Sequence, residues 1–112
     1  MSESKLQWLQ RMADVHGLDT EDIDEIAQMC LEDSFENLPL MKLEVTQSDA
    51  EEKLRIAHSI KGSSANIGLM DLSNSAQVLE TQLHDNNLDN YSENLAKLTE
   101  ELEKFKALME SE

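Results

Sequence analysis

The sequence predicts an all-α fold, an antiparallel up-down four-helix bundle with a short N-terminal capping helix. The composition favours helices, because 39% of the residues are hydrophobic, only 4% are aromatic, and there are three glycines and one proline. Apolar residues recur at steps of three and four, and no segment alternates as a β-strand does. Long amphipathic helices with short connections are typical of a bundle. We expect residues 1–112 to form a single domain.

The first two helices are recognised by their ends. A short helix is predicted over about residues 4–16. The second helix begins after Asp19, whose side chain can cap it. Pro39 removes a backbone hydrogen bond and disfavours helical geometry at the residue before it. We therefore expect a kink or a break there, with the helix resuming to about Val45.

The three remaining helices carry regular apolar stripes. Ser48 and Glu51 form a Ser-x-x-Glu capping box that predicts the start of the third helix, and Gly68 offers a left-handed stop. The stripe of the third helix consists of Leu54, Ala57, Ile60, Ser64 and Ile67. The fourth helix has Leu69, Leu72, Ala76, Leu79 and Leu83. The fifth starts near Asp89 and has Tyr91, Leu95, Leu98, Leu102 and Phe105.

The other face of the third helix carries the candidate functional residues. His58 lies beside the stripe on the water-facing side, and Lys61 follows one turn later. Gly62 occupies a helix interior, where glycine costs about 1 kcal/mol relative to alanine. Arg55 and Ala65 share this face, and the small Gly62 and Ala65 keep its surface low. We infer that another molecule comes close to this surface.

The formal net charge of −15 excludes two classes of partner. Such an acidic surface repels nucleic acid and anionic membranes. No apolar run approaches 18 residues and the N-terminus does not resemble a signal, so we expect a cytoplasmic protein. The initiator-like Met1 favours a free-standing one. The lone Cys30 falls in an apolar stripe, which predicts a small buried hydrophobe.

The segment from His58 to Gly68 resembles the histidine-containing phosphotransfer (HPt) domain of two-component phosphorelays. The family motif is His-x-x-Lys-Gly-small-small, followed by a further Gly, and Lys61 and Gly62 match it beside His58 and Gly68. The resemblance covers four helices, about residues 20–110. It implies that His58 accepts a phosphoryl group from a receiver-domain aspartate and passes it to another receiver domain.

Elementary chemistry is consistent with these roles. A neutral imidazole is a good nucleophile, and an unperturbed pKa of about 6.5 keeps it mostly neutral in the cytoplasm. The ammonium of Lys61, one turn from His58, can reach a phosphoryl group on the ring. Lys53 and Arg55 are expected to join Lys61 in a local basic spot on this acidic molecule.

The resemblance also points to the fourth helix. The position 22 residues after the histidine carries Glu or Gln in some family members, and here it is Glu80. A carboxylate that accepts from the imidazole N–H would orient the ring. Glu80 can equally pair with His84 at i, i+4, a surface interaction of a few tenths of a kcal/mol. Gln77, one turn earlier, is a second candidate for the same neighbourhood.

Two rival functions are weighed against this hypothesis. A di-iron bundle uses Glu-x-x-His pairs, but no histidine of this chain has a carboxylate three positions before it, so we expect no metal and no cofactor. A non-catalytic helical adaptor with a silent histidine fits the acidic surface equally well.

No nucleotide-binding glycine loop is present, so we expect a phosphotransfer carrier without kinase activity of its own. The expected form is a monomer, and the expected partners are receiver domains of response regulators or hybrid sensor kinases.

Overall fold

The computed structural model describes residues 3–46 and 48–111, which form five α-helices, one 3₁₀ helix and no strand. The all-helical prediction is therefore confirmed. Met1 lies outside the described residues. The helices are α1 (Lys5–His16), α2 (Thr20–Asn37), α3 (Ala50–Asn66), α4 (Met70–Asp85) and α5 (Tyr91–Glu110), and the 3₁₀ helix is Leu38–Met41.

The packing of the helices leaves one side of α3 in solvent. The most extensive contact is between α3 and α4, and α4 also packs against α5. Helix α2 contacts α1, α3 and α5, so α3 is flanked by α2 on one side and α4 on the other. The predicted stripes of α4 and α5 are buried except for Leu69, which is partly buried and precedes α4, and Cys30 is buried as well. No helix in the described part of the chain has the length and apolar character that a membrane span requires.

Pro39 ends α2 instead of kinking it. The α-helix stops at Asn37, and the short 3₁₀ helix follows. The buried Tyr91 donates its hydroxyl hydrogen bond to the carbonyl of Met41 at 2.6 Å, so a side chain uses an acceptor that a continued helix would need. The predicted resumption of the helix to Val45 is therefore wrong.

The start of α3 also differs from the prediction. The N-cap is Asp49, whose carboxylate accepts from the backbone N–H of Glu52 at 2.8 Å, so the helix begins at Ala50. The predicted Ser48 cap is wrong, because Ser48 is buried and its hydroxyl accepts a hydrogen bond from the ammonium of Lys53 at 2.7 Å. The capping role therefore passes to the next residue along the chain.

The left-handed stop after α3 is confirmed. Gly68 has a φ of 76°. A Cβ at this position would lie 3.0 Å from the sulfur of Met12, so the glycine also leaves room for that side chain of α1.

Candidate functional site

His58 lies near the middle of α3 on the side that faces solvent. Its side chain is 69% exposed. The opposite face of the helix is buried through Ala57 and Ile60, so the helical period turns the imidazole outward. Another molecule can therefore reach the ring without any rearrangement of the fold.

A carboxylate from α4 holds the ring. Nδ1 of His58 lies 2.5 Å from Oε2 of Glu80, whose side chain is only 16% exposed. Of the two partners expected for Glu80, the structure brings it to His58. His84 instead has its Nδ1 3.1 Å from the carboxylate of Asp85.

The same carboxylate also binds Lys61. The ammonium of Lys61 donates to Oε1 of Glu80 at 2.6 Å, so each oxygen of Glu80 has one partner on α3. This contact was missed by the sequence reasoning, which considered only histidine partners for Glu80. The signal for it was present, because His58 and Lys61 lie one turn apart on one helix face and a single carboxylate can reach both.

The charge state of Glu80 determines which ring nitrogen carries the proton. The hydrogen bond from Lys61 lowers the pKa of Glu80, desolvation opposes this, and the hydrogen bond from His58 adds to the lowering. Glu80 is thus ionised near neutral pH, and an ionised carboxylate can only accept. Nδ1 of His58 must then be the donor, which leaves the lone pair of the neutral ring on Nε2. Among the described residues, Nε2 makes no hydrogen bond.

The surface beside Lys61 is low and open. A Cβ added to Gly62 would meet no atom within 4 Å, so packing within the protein does not require a glycine here. Ala65, one turn further on, is also exposed. The solvent-facing side of α3 therefore has no large side chain between Lys61 and the end of the helix.

The prediction that Lys53, Arg55 and Lys61 form a basic spot at the surface is wrong for Lys53. Lys53 is only 4% exposed, and its ammonium binds backbone carbonyls of the loop before α3. Arg55 is exposed and forms an ion pair with Glu52 on its own helix. Lys61 is the member of the three that contacts Glu80. The positive charge beside the imidazole thus comes from one lysine, with Arg55 one turn away.

A groove of about 470 Å³ opens beside His58 between α3 and α4. Gln77 lines it and donates to the hydroxyl of Thr81 at 2.9 Å. Leu54 lines it from α3. Leu54 and Thr81 were missed as site residues, because a groove depends on how two helices are placed and the period of one helix does not report that placement.

No group of three or more His, Cys, Asp or Glu side chains in residues 3–46 and 48–111 is arranged to hold a metal ion. The carboxylate closest to the imidazole already has both oxygens engaged, by His58 and by Lys61. The site is therefore built around an imidazole, a carboxylate and an ammonium group.

The comparisons with known proteins identify a family for most of the chain. A family model described as the Hpt domain matches residues 25–108, which are 84 of the 112 residues. The match includes all of α3 and α4 and most of α2 and α5. No curated protein and no solved structure gave a significant match. Domains of this family act in phosphotransfer in two-component signalling and interact with receiver domains. The chain belongs to the Hpt domain family.

Proposed function

We propose that this domain is a phosphorelay intermediate. His58 accepts a phosphoryl group from a receiver-domain aspartate and passes it, reversibly, to the aspartate of another receiver domain. The observation that carries the proposal is the geometry of the ring, which is exposed, donates from Nδ1 to Glu80 and keeps Nε2 free of hydrogen bonds to the described residues. Residues 1–112 form one domain, in which α2–α5 make an antiparallel four-helix bundle and α1 caps it.

The chemistry follows from the tautomer. The lone pair on Nε2 attacks phosphorus, the bond between phosphorus and the aspartate oxygen breaks, and the carboxylate leaves with that electron pair. The product ring carries both the Nδ1 proton and the new N–P bond, so it is positively charged. Glu80, at 2.5 Å from Nδ1, stabilises this charge in either direction of transfer.

Lys61 neutralises the transferred group. Its ammonium is 28% exposed and bound to Glu80, one turn from His58. When a phosphoryl group occupies Nε2, the ammonium turns from the carboxylate to the phosphoryl oxygens, where charge-assisted hydrogen bonds are strong. The residues of this site supply positioning and charge, and the Mg²⁺ that receiver chemistry requires comes with the receiver.

The remaining assignments extend this proposal. Arg55, Gly62, Ala65 and Gln77 surround the ring and form part of the surface that receives the partner. The domain works as a cytoplasmic monomer without kinase activity, and it needs no cofactor of its own. The alternative is a non-catalytic adaptor bundle in which His58 is silent, since the acidic surface suits binding as well as transfer.

The deciding experiment is transfer of labelled phosphate. Receiver domains from the same genome are loaded with radiolabelled phosphate and mixed with the wild type, His58→Gln and His84→Gln. We expect an acid-labile, base-stable label on the wild type and on His84→Gln, and none on His58→Gln. The helical content should be equal in all three, because both histidines are exposed. No label on the wild type from any receiver would favour the adaptor, and label on His58→Gln would place the phosphoacceptor on another residue.

Gly62 provides a second test. Because a Cβ there meets no atom within 4 Å, Gly62→Ala should raise the free energy of unfolding by about 0.5–1 kcal/mol through helix propensity. Gly62→Gln should keep the fold but slow transfer about tenfold, since a long side chain beside Lys61 obstructs docking. Urea unfolding and the label-transfer rate measure the two effects. Unimpaired transfer by Gly62→Gln would remove docking as the reason for the glycine.

A further inference from the structure

Helix α4 buries one polar side chain in an otherwise apolar face. The buried residues of this helix are Leu72, Ser73, Ala76, Leu79 and Leu83. Ser73 is 5% exposed, and its hydroxyl donates to the backbone carbonyl of Lys61 at 3.0 Å. A hydroxyl that loses water on folding needs such a partner, whereas an alanine at this position would need none. The serine therefore spends its hydrogen bond outside its own helix, on α3.

The side-chain hydrogen bonds that cross from α4 to α3 all end on the candidate site. Among the described residues there are three, and one of them runs from Ser73 to the backbone of Lys61. The other two join Glu80 to His58 and to the ammonium of Lys61. The apolar contacts around them are non-directional, whereas a hydrogen bond restricts both distance and angle. The offset of α4 along α3 is therefore set most tightly by these bonds.

Ser73 and Glu80 lie on the same side of α4. They are seven residues apart, which is two turns and about 10 Å along the helix axis. Oε2 of Glu80 is 2.5 Å from Nδ1 of His58, and Oε1 is 2.6 Å from Nζ of Lys61. A shift of α4 by about 1 Å would lengthen one of these contacts to about 3.5 Å, beyond ordinary hydrogen-bond distances. The double contact of Glu80 thus depends on a fixed offset between the two helices.

We propose that Ser73 is a positioning residue for the site. Its hydrogen bond to the Lys61 carbonyl fixes the offset of α4 on α3, and this offset puts the Glu80 carboxylate on the ring and the ammonium together. The inference rests on the proposed function, because transfer at Nε2 of His58 is the reaction that this orientation serves. Within the described residues Ser73 makes no hydrogen bond to the ring, so it acts through Glu80. Loss of its hydroxyl should release Nδ1 and weaken the preference for the tautomer whose lone pair lies on Nε2.

The first test measures the tautomer of His58 in the isolated domain and needs no receiver. Ser73→Ala removes the hydroxyl and introduces the best helix former, so the variant should fold. Nitrogen-15 nuclear magnetic resonance at about pH 8, where a free imidazole is neutral, distinguishes the protonated from the unprotonated ring nitrogen. We expect the proton mainly on Nδ1 in the wild type, no such preference in Glu80→Ala, and a value between the two in Ser73→Ala. A wild-type value in Ser73→Ala would refute the positioning role.

Ser64→Ala is the matched control, because it removes another buried serine hydroxyl at the same helix interface. Ser64 is fully buried, and its Oγ lies 2.6 Å from the carbonyl of Ile60 and 3.2 Å from that of Lys61, both in its own helix. This variant loses a hydroxyl but keeps the bond that crosses from α4. We expect its tautomer share to equal that of the wild type. An equal loss in Ser64→Ala and Ser73→Ala would show that general loosening of α3 moves the ring, and would overturn the assignment.

The second test measures phosphoryl transfer from a labelled receiver domain in a double-mutant cycle. We expect Ser73→Ala to slow transfer about tenfold, since a displacement of about 1 Å at a reacting group is costly. In the Glu80→Ala background the same substitution should slow transfer less than about twofold, because a residue that acts through Glu80 has no effect once that carboxylate is gone. An unchanged rate in Ser73→Ala, or an equal fall in both backgrounds, would refute action through Glu80.

The two tests separate this inference from the proposed function. If the wild type takes no label from any receiver while the tautomer shares differ as expected, the proposed function fails and Ser73 still positions the ring. If the wild type is labelled and Ser73→Ala equals it in tautomer and in rate, the proposed function stands and the inference fails. A loss of stability in Ser73→Ala with neither of the other changes would make the serine a purely structural residue.

Discussion

Two lysines eight residues apart on α3 have opposite environments. Lys53 is 4% exposed, and its ammonium binds the carbonyl oxygens of Val45 and Ser48 at 3.0 and 2.8 Å and the Ser48 hydroxyl at 2.7 Å. Lys61 is 28% exposed and binds the carboxylate of Glu80 at 2.6 Å. The first lysine ties a loop to the helix, and the second has a partner that, in the proposed function, it exchanges for the phosphoryl group.

The difference lies in the acceptors. All three acceptors of Lys53 are uncharged and belong to the segment that leads into α3. The lysine supplies these polar groups with the hydrogen bonds that water would otherwise give them. The acceptor of Lys61 is shared with the imidazole, so any change at the ring alters the charge that the ammonium meets. Burial therefore separates a structural lysine from one that we assign to function.

The largest effect should follow from Lys53→Met. The substitution keeps the apolar stem but leaves buried carbonyl oxygens without a donor, and we expect the free energy of unfolding to fall by about 2–3 kcal/mol. In a domain of this size that corresponds to a Tm decrease of about 10 °C. Thermal unfolding by circular dichroism measures it, and the label-transfer rate per folded molecule should be unchanged. A loss below about 0.5 kcal/mol would contradict the structural role.

The same substitution at Lys61 should act in the opposite way. Lys61→Met removes one partly exposed ion pair, so the free energy of unfolding should change by less than about 1 kcal/mol. The rate of phosphoryl transfer to His58 should fall about 10- to 100-fold, since the transferred group loses its cation. The rate is measured by quenching the reaction with a labelled receiver at successive times and counting the label on this protein. If transfer proceeds at the wild-type rate, Lys61 serves only as a surface partner of Glu80.

The sequence was sufficient for features that depend on one helix. The period of α3 predicted the outward position of His58 and its neighbours Lys61 and Gly62, and the apolar stripes predicted the buried faces of α4 and α5. The same period contained the signal for Lys53, which lies four residues before Ala57 and seven before Ile60, in the middle of the buried face. Lys53 was predicted to join Arg55 and Lys61 in a basic spot, whereas its position in the period indicates the buried face.

Features that depend on two segments could not be predicted. Pro39 predicted the break after α2, but the hydrogen bond that uses the Met41 carbonyl, where the helix was expected to resume, comes from Tyr91, fifty positions along the chain. The joint binding of His58 and Lys61 by one carboxylate required the relative placement of α3 and α4. Local patterns report the faces of helices, and the contacts between helices decide which partner each polar group receives.

The smallest expected effect is a pH dependence of stability. It should arise at Glu80, the partner of Lys61, and not at the uncharged partners of Lys53. The pKa of Glu80 is lowered in the folded protein relative to an unfolded value of about 4.3, so its contribution to stability is present above that value and is lost as the pH falls through the folded pKa. The stability difference between the wild type and Glu80→Gln should shrink as the pH falls below about pH 4. Urea unfolding at each pH measures it.

Glu103→Gln is the matched control for this series, because Glu103 is exposed and makes no ion pair within the described residues. Its stability difference from the wild type should not follow the curve of Glu80→Gln. Parallel curves for the two variants would mean that Lys61 and His58 do not hold Glu80 in solution.

The acceptors of Lys53 are uncharged throughout this range, so Lys53→Met should show the same loss of stability at pH 4 as at pH 7. A pH-dependent loss in that variant would place a carboxylate near Lys53 and erase the contrast between the two lysines.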